Sequence, residues 1–189
     1  MLWAAPDKAE WGGDMQVTVL GAGSWGTTVA SIVAPRHPTL LWSRRTETAE
    51  EINSQRTNDV YLPGFRLPRQ LRATADLAEA SCHADLLIVG IPTRGFRDVL
   101  IDAKPHVRPW IPVVSLSKGF EADTLLRMTE VIRDELPGHP AAALTGPNIA
   151  REIMAGQAAA SVIATEDLTV AAAIQGVISA GLFLSLIHI

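Results

Sequence analysis

Three clusters of residues in this sequence have types and spacings that could do chemistry. The sharpest is Gly21-Ala22-Gly23-Ser24-Trp25-Gly26, which directly follows the apolar run Val17-Thr18-Val19-Leu20. A lone Gly-x-Gly-x-x-Gly says little, but between a strand and a helix it becomes a phosphate-binding turn. Gly21 allows the tight turn, Gly23 lets a pyrophosphate approach the backbone, and Gly26 lets the helix pack close to the sheet. The anion then rests on free N–H groups at the helix N-terminus. A plain turn using glycine for positive φ is the competing reading, and three glycines at these offsets disfavour it.

The second cluster is Arg44-Arg45, after Trp42-Ser43. Where a dinucleotide fold reads the ribose hydroxyls of NAD, the second strand ends in an acidic residue. Here the first carboxylate downstream is Glu47. An arginine can instead hold a 2′-phosphate bidentately. NADP(H) is therefore the expected cofactor, with NAD(H) as the second candidate. Ordinary surface charge is the competing reading, stronger for Arg45 than for Arg44.

The third cluster lies at later strand ends, where ligands of such folds sit. It comprises Gly90-Ile91-Pro92-Thr93, Ser117-Lys118-Gly119-Phe120-Glu121 and Thr145-Gly146-Pro147-Asn148-Ile149-Ala150-Arg151-Glu152. Lys118 could reach a phosphate or a carbonyl. Gly146 permits close backbone approach, and Pro147 is expected to open a helix whose N–H groups make a second anion site. Taken singly, each has a bland counterpart: a surface lysine, or an ordinary helix start with Gly146 as its cap.

The elements that must position these residues alternate. Strands are expected at 16–20, 39–42, 71–74, 86–90, 112–116, 142–144 and 161–164. Helices are expected at 24–34, 47–56, 76–81 (with Asp76 as cap), 96–104 and 168–178. A longer helix with Leu125, Met128 and Ile132 on its inner face precedes the sixth strand. This alternation means a Rossmann-type, doubly wound α/β fold with a mostly parallel sheet. Residues 1–14 read as a loose extension, with Met15 as the natural start, and 15–183 as the dinucleotide-binding domain.

Bulk properties narrow the class. The chain has 189 residues, 48% of them hydrophobic, and a net charge of −4, which suits a globular protein and argues against nucleic-acid binding. No apolar stretch is long enough to span a bilayer. The single cysteine, Cys82, suits a reducing cytoplasm and is expected to be small and partly buried. The five histidines are scattered on the surface or in loops, and no metal-ligand spacing occurs.

Together, the glycine turn, the strand end at 42–45, Tyr61-Leu62-Pro63-Gly64 and the loops at 117–121 and 145–152 resemble the bacterial-type NAD(P)-dependent glycerol-3-phosphate dehydrogenases. The resemblance covers about residues 15–183. It implies reversible hydride transfer between sn-glycerol 3-phosphate and dihydroxyacetone phosphate, supplying glycerophospholipid precursors. It also implies a cofactor site that includes Ser24, Trp25, Arg44, Arg45, Lys118 and Ala150. Lys118, Gly146 and Asn148 would face substrate. The family usually has Ser or Thr at the position of Asn148.

Family members continue into an all-helical domain carrying the general-base lysine, and a homodimer is the expected state of the parent. That domain is expected to be absent here, and residues 184–189 depart from the family pattern, so they are read as a non-native tail. The fragment is expected to lack activity and to be marginally soluble. The alternatives are a non-catalytic NADP(H)-binding redox sensor and another two-domain NAD(P) dehydrogenase. The loops at 117–119 and 145–148 disfavour the latter.

Overall fold

The computed structural model describes residues 15–188, so the extension assigned to 1–14 lies outside the described residues. Apolar runs build the centre. β1 (Val17–Leu20), β2 (Thr39–Trp42) and β4 (Leu86–Val89) are buried at every position. Strands buried on both faces need continuous apolar sequence, as parallel sheets do. β3 (Arg72–Thr74), β5 (Val113–Ser115), β6 (Ala141–Thr145), β7 (Ala159–Thr165) and β8 (Phe183–His188) complete the set among the described residues. The sheet order is β3-β2-β1-β4-β5-β6-β7-β8. Pairing is parallel everywhere except between β6 and β7. The order reverses between β1 and β4, which opens a crevice above their carboxyl ends.

Helices cover both faces. α1 (Ser24–Val33) and α7 (Leu168–Ile178) pack on one apolar cluster. α4 (Phe96–Ala103) and α5 (Met128–Glu135) pack on the other. α2 (Thr46–Gln55), α3 (Leu77–His83) and the short α6 (Ala150–Met154) fill the remaining crossovers. Asp76 caps α3 as expected, its Oδ1 accepting from the N–H groups of Ala78 (2.8 Å) and Glu79 (3.1 Å). Asp167 caps α7 in the same way.

Four expectations change. Leu125 is not on a helix face: it has φ 57° and is 73% exposed, and α5 begins only at Met128. The spacing of Leu125, Met128 and Ile132 imitates a helical stripe, but the left-handed residue breaks it. The helix starts instead where the Glu130 side chain accepts from the Arg127 N–H at 2.8 Å. Pro147 stands outside α6, which starts at Ala150 and lasts one turn. Gly146 explains the delay: a Cβ there would sit 2.8 Å from the Ala160 carbonyl, so the chain must first clear β7. Cys82 is exposed rather than partly buried. His83 lies at the half-buried end of α3, not on a free surface. β8 spans Phe183–His188, with Phe183 and Ser185 buried and Leu184 and Leu186 facing outward.

Two imidazoles are held neutral by the fold. Thr18 is fully buried in β1, and its Oγ1 donates its single proton to the Ala80 carbonyl (2.8 Å). His83 Nδ1, 3.0 Å from Thr18 Oγ1, must therefore be the donor in the second bond. Burial, then Arg72, pushes the His83 pKa below 6.5; Arg108 acts in the same direction, while Asp85 and Glu79 oppose it. His139 is also lowered by burial, although its Nδ1 bond to the Ile111 carbonyl (3.0 Å) opposes the shift.

A histidine whose folded pKa is depressed binds fewer protons folded than unfolded. Stability is then full above 6.5 and is lost as pH falls toward the folded values. The thermal midpoint is expected to fall between pH 7.5 and pH 5.5. His83→Gln should flatten part of that slope in scanning calorimetry, and an equally steep profile in the variant would exclude His83 as a source.

Candidate active site

The site is built at the end of β1. Gly21 has φ +112°, and a Cβ there would lie 2.6 Å from the Gly90 carbonyl oxygen at the end of β4. A Cβ on Gly26 would meet the Gly21 carbonyl oxygen at 2.0 Å. The turn is thus main chain packed on main chain. Above Gly23 the space is open, with nothing within 4 Å of a notional Cβ. α1 begins there with no side-chain cap and no acidic residue in its first turn. Its positive end is left to face the crevice.

Asn58 braces this turn from beneath. It is fully buried, and its Nδ2 donates to the Ala22 carbonyl (2.9 Å) and to Thr27 Oγ1 (2.8 Å). No periodicity or motif in the sequence pointed to Asn58.

The crevice is a cleft of about 850 Å³, a size suited to a large ligand. It joins the glycine turn to Arg44 and Arg45, and across from them to Thr93, Arg94 and Lys118. Arg45 lies 3.9 Å from Glu47, whereas Arg44 is exposed and makes no hydrogen bond or ion pair with the described residues. Arg94, also exposed and likewise unpaired, was not foreseen. An arginine before a helix carries no signal of its own.

A second cavity of about 220 Å³ adjoins the first. Trp25 and Lys118 line both, and Gly146 and Asn148 line the smaller one. Lys118 Nζ donates to the Gly146 carbonyl at 2.9 Å, bridging the ends of β5 and β6. Asn148 Oδ1 is buried without a hydrogen-bond partner, an arrangement that costs free energy until a donor arrives. The fold therefore brings Lys118, Gly146 and Asn148 together around the smaller cavity. It does not bring Ala150 to them: Ala150 lines neither cavity and packs against the core. Among the described residues, no group of three His, Cys, Asp or Glu side chains could hold a metal ion. No helix among them is long and apolar enough to cross a membrane.

A doubly wound sheet with a glycine turn at its switch point defines a dinucleotide-binding domain of the dehydrogenase type. The chain belongs to the NAD-dependent glycerol-3-phosphate dehydrogenase family, whose N-terminal model matches residues 16–171. A glycerol-3-phosphate dehydrogenase (NAD(P)+) 2 of Sphingopyxis alaskensis is 53% identical over 169 residues, 89% of this chain and 51% of that protein. A glycerol-3-phosphate dehydrogenase (NAD(P)+) of Mycobacterium avium is 51% identical over 162 residues, 85% of this chain and 48% of its own length. The crystal structure of the Coxiella burnetii glycerol-3-phosphate dehydrogenase matches with a TM-score of 0.87 at 26% identity, over 93% of this chain and 54% of that one. The chain thus spans about half the length of the relatives it matches.

Proposed function

We propose that residues 15–183 are the cofactor-binding unit of an NAD(P)-dependent sn-glycerol-3-phosphate dehydrogenase. Its reaction interconverts sn-glycerol 3-phosphate and dihydroxyacetone phosphate, and so supplies glycerophospholipid synthesis. The observation that carries this reading is the junction at Lys118, which lines both the large cleft and the small cavity. A nicotinamide held in the first would meet a small polar substrate held in the second.

The residues present fit such a cofactor. The open space above Gly23 and the uncapped start of α1 suit a pyrophosphate. Unpaired Arg44 suits a 2′-phosphate, and Arg45 sits beside it. The nicotinamide supplies the hydride acceptor or donor when bound. Trp25, which lines both cavities, would lie where they adjoin. Lys118 directs an ammonium N–H at a carbonyl oxygen, and a substrate oxygen can replace that carbonyl. Asn148 offers its unmatched acceptor to a substrate hydroxyl. Removal of the hydroxyl proton needs a base within hydrogen-bond reach. Among the described residues that line the small cavity only Lys118 carries a titratable side chain, and it is already engaged. The chain alone is expected to bind nucleotide without turning substrate over.

A fluorescence titration with NADPH and NADH tests the reading. NADPH is expected to bind at least tenfold tighter, because a charge-assisted contact contributes about 1.5–3 kcal/mol, or one to two decades. Arg44→Ala should abolish that ratio and Arg45→Ala should only dent it. Equal binding of the two cofactors to the unmodified chain would remove the role given to Arg44, and binding of neither would sink the proposal.

A further inference from the structure

The loop that carries Lys118 has a weak grip of its own. Between Ser117 and Arg127 its large apolar side chains point outward: Phe120 is 60% and Leu125 73% exposed. Two residues take positive φ, Gly119 at 104° and Leu125 at 57°. Leu126 alone among them packs partly against a core cluster. Burial does not hold such a segment in place, so polar ties must.

Those ties converge on Glu121. Its N–H donates to the Leu126 carbonyl (2.9 Å), and its carbonyl accepts from the Leu125 N–H (2.9 Å). Its carboxylate accepts from Thr124 Oγ1 and takes a two-pronged bond from Arg97, Nε to Oε1 and Nη2 to Oε2, each 2.8 Å. Arg97 stands on α4 and also bonds Glu135 and Asp134 on α5, the latter at 3.3 Å. One guanidinium therefore joins two helices to the loop. The side chains of the pair are only 25% and 15% exposed, well shielded from screening. Arg97 holds the Glu121 carboxyl down to about 2, so the pair stays ionised through the neutral range. A planar fork fixes orientation as well as distance, which a lysine cannot do.

We infer that the Arg97–Glu121 fork is the positioning device that aims Lys118 between the two cavities. It acts three residues from the lysine, while Ser117 Oγ, bonded to the Ile91 carbonyl, ties the other flank. Neither Arg97 nor Glu121 lines either cavity, so both act through the loop. The inference rests on the reading of Lys118 as a site residue.

Lysine acylation with an N-hydroxysuccinimide ester, read peptide by peptide by mass spectrometry, tests it on the full chain. Lys104, exposed on a turn after α4, is the internal reference. Lys118 is expected to react more slowly than Lys104, because its Nζ is held on the Gly146 carbonyl. Glu121→Gln and Arg97→Lys should each raise the Lys118 to Lys104 ratio about threefold or more, and the double variant no further. Glu121→Asp keeps the charge but shortens the reach, and should fall between; it also serves if a harsher variant fails to fold. A ratio unchanged in Glu121→Asp and in every folded variant, with only the thermal midpoint lowered, would reduce the pair to a stabilising contact and overturn the inference. NADPH titration of the unmodified chain separates the two failures. Absent nucleotide binding would defeat the reading of the site, while the acylation ratio would still decide what holds the lysine.

Discussion

Gly26→Ala is expected to lower the thermal midpoint by about 6–12 °C or to leave the chain unfolded, following a loss of roughly 3 kcal/mol or more. The added methyl would meet the Gly21 carbonyl oxygen at 2.0 Å, and that oxygen belongs to main chain locked on both sides. Gly21 cannot retreat, because its own notional Cβ already points at the Gly90 carbonyl. Relief would require α1 to slide along β1, breaking the packing of Val29 and Val33 in the core. Gly23→Ala is the control. It takes φ −69° and meets nothing, so it should cost less than about 1 kcal/mol of stability. It should nevertheless weaken NADPH at least tenfold, because the methyl occupies the space proposed for the pyrophosphate. Circular dichroism melts beside the titration decide the matter. A Gly26→Ala protein with an unchanged midpoint would mean that the turn is not packed as described.

The second large effect belongs to Asn58. Asn58→Ala is expected to cost about 2–4 kcal/mol, because it leaves buried acceptors unpaired and opens a cavity. The stranded groups are the Ala22 carbonyl and Thr27 Oγ1, both bonded to Asn58 Nδ2. Nucleotide affinity should fall as well, since Ala22 lies inside the glycine turn. Asn58→Asp gives a sharper test. A carboxylate here would face the Ala22 carbonyl, which has no proton to offer, and only the Thr27 hydroxyl could donate to it, so burial should raise its folded pKa above the unfolded value. By linkage, the stability it retains is present at low pH and lost as pH rises through the folded pKa. The unmodified chain behaves in the opposite sense, because its histidines lose stability as pH falls. Asn58→Asp melts that track the unmodified profile from pH 5 to pH 8 would show that the side chain does not brace the turn.

These two residues mark where the sequence is legible and where it is not. Gly26 is readable because its reason is local: the clash is with Gly21, five positions away, inside one strand–turn–helix unit. β1, β2 and β4 are readable for a similar reason, since burial on both faces writes a continuous apolar run. Asn58 acts across 36 and 31 residues, and Arg97 reaches Glu121 across 24. Such pairings depend on topology, and no window on the chain reveals them.

Reversal of direction is equally hidden. β7 opens with Ala159-Ala160, outside its expected range of 161–164, and its antiparallel course beside β6 leaves no trace in composition. Leu125 shows the opposite failure, a pattern present in the sequence but undone by one left-handed residue. The Lys118–Gly146–Asn148 grouping was half legible. Each loop stood out by its residues, but only the fold shows that two of them meet through a hydrogen bond.

The all-backbone glycine turn, as the proposed phosphate site, bears on how protons act on this molecule. Peptide N–H groups do not titrate, and an arginine carries its charge throughout the physiological range. A grip made of the two is blind to acidity. The fold, by contrast, is expected to weaken in acid through His83 and His139. Robustness and recognition are thus decoupled, and in the proposed complex acidity reaches recognition chiefly through the ligand. A 2′-phosphate sheds half a charge as pH falls to about 6, whereas a dinucleotide lacking that group has nothing there to lose.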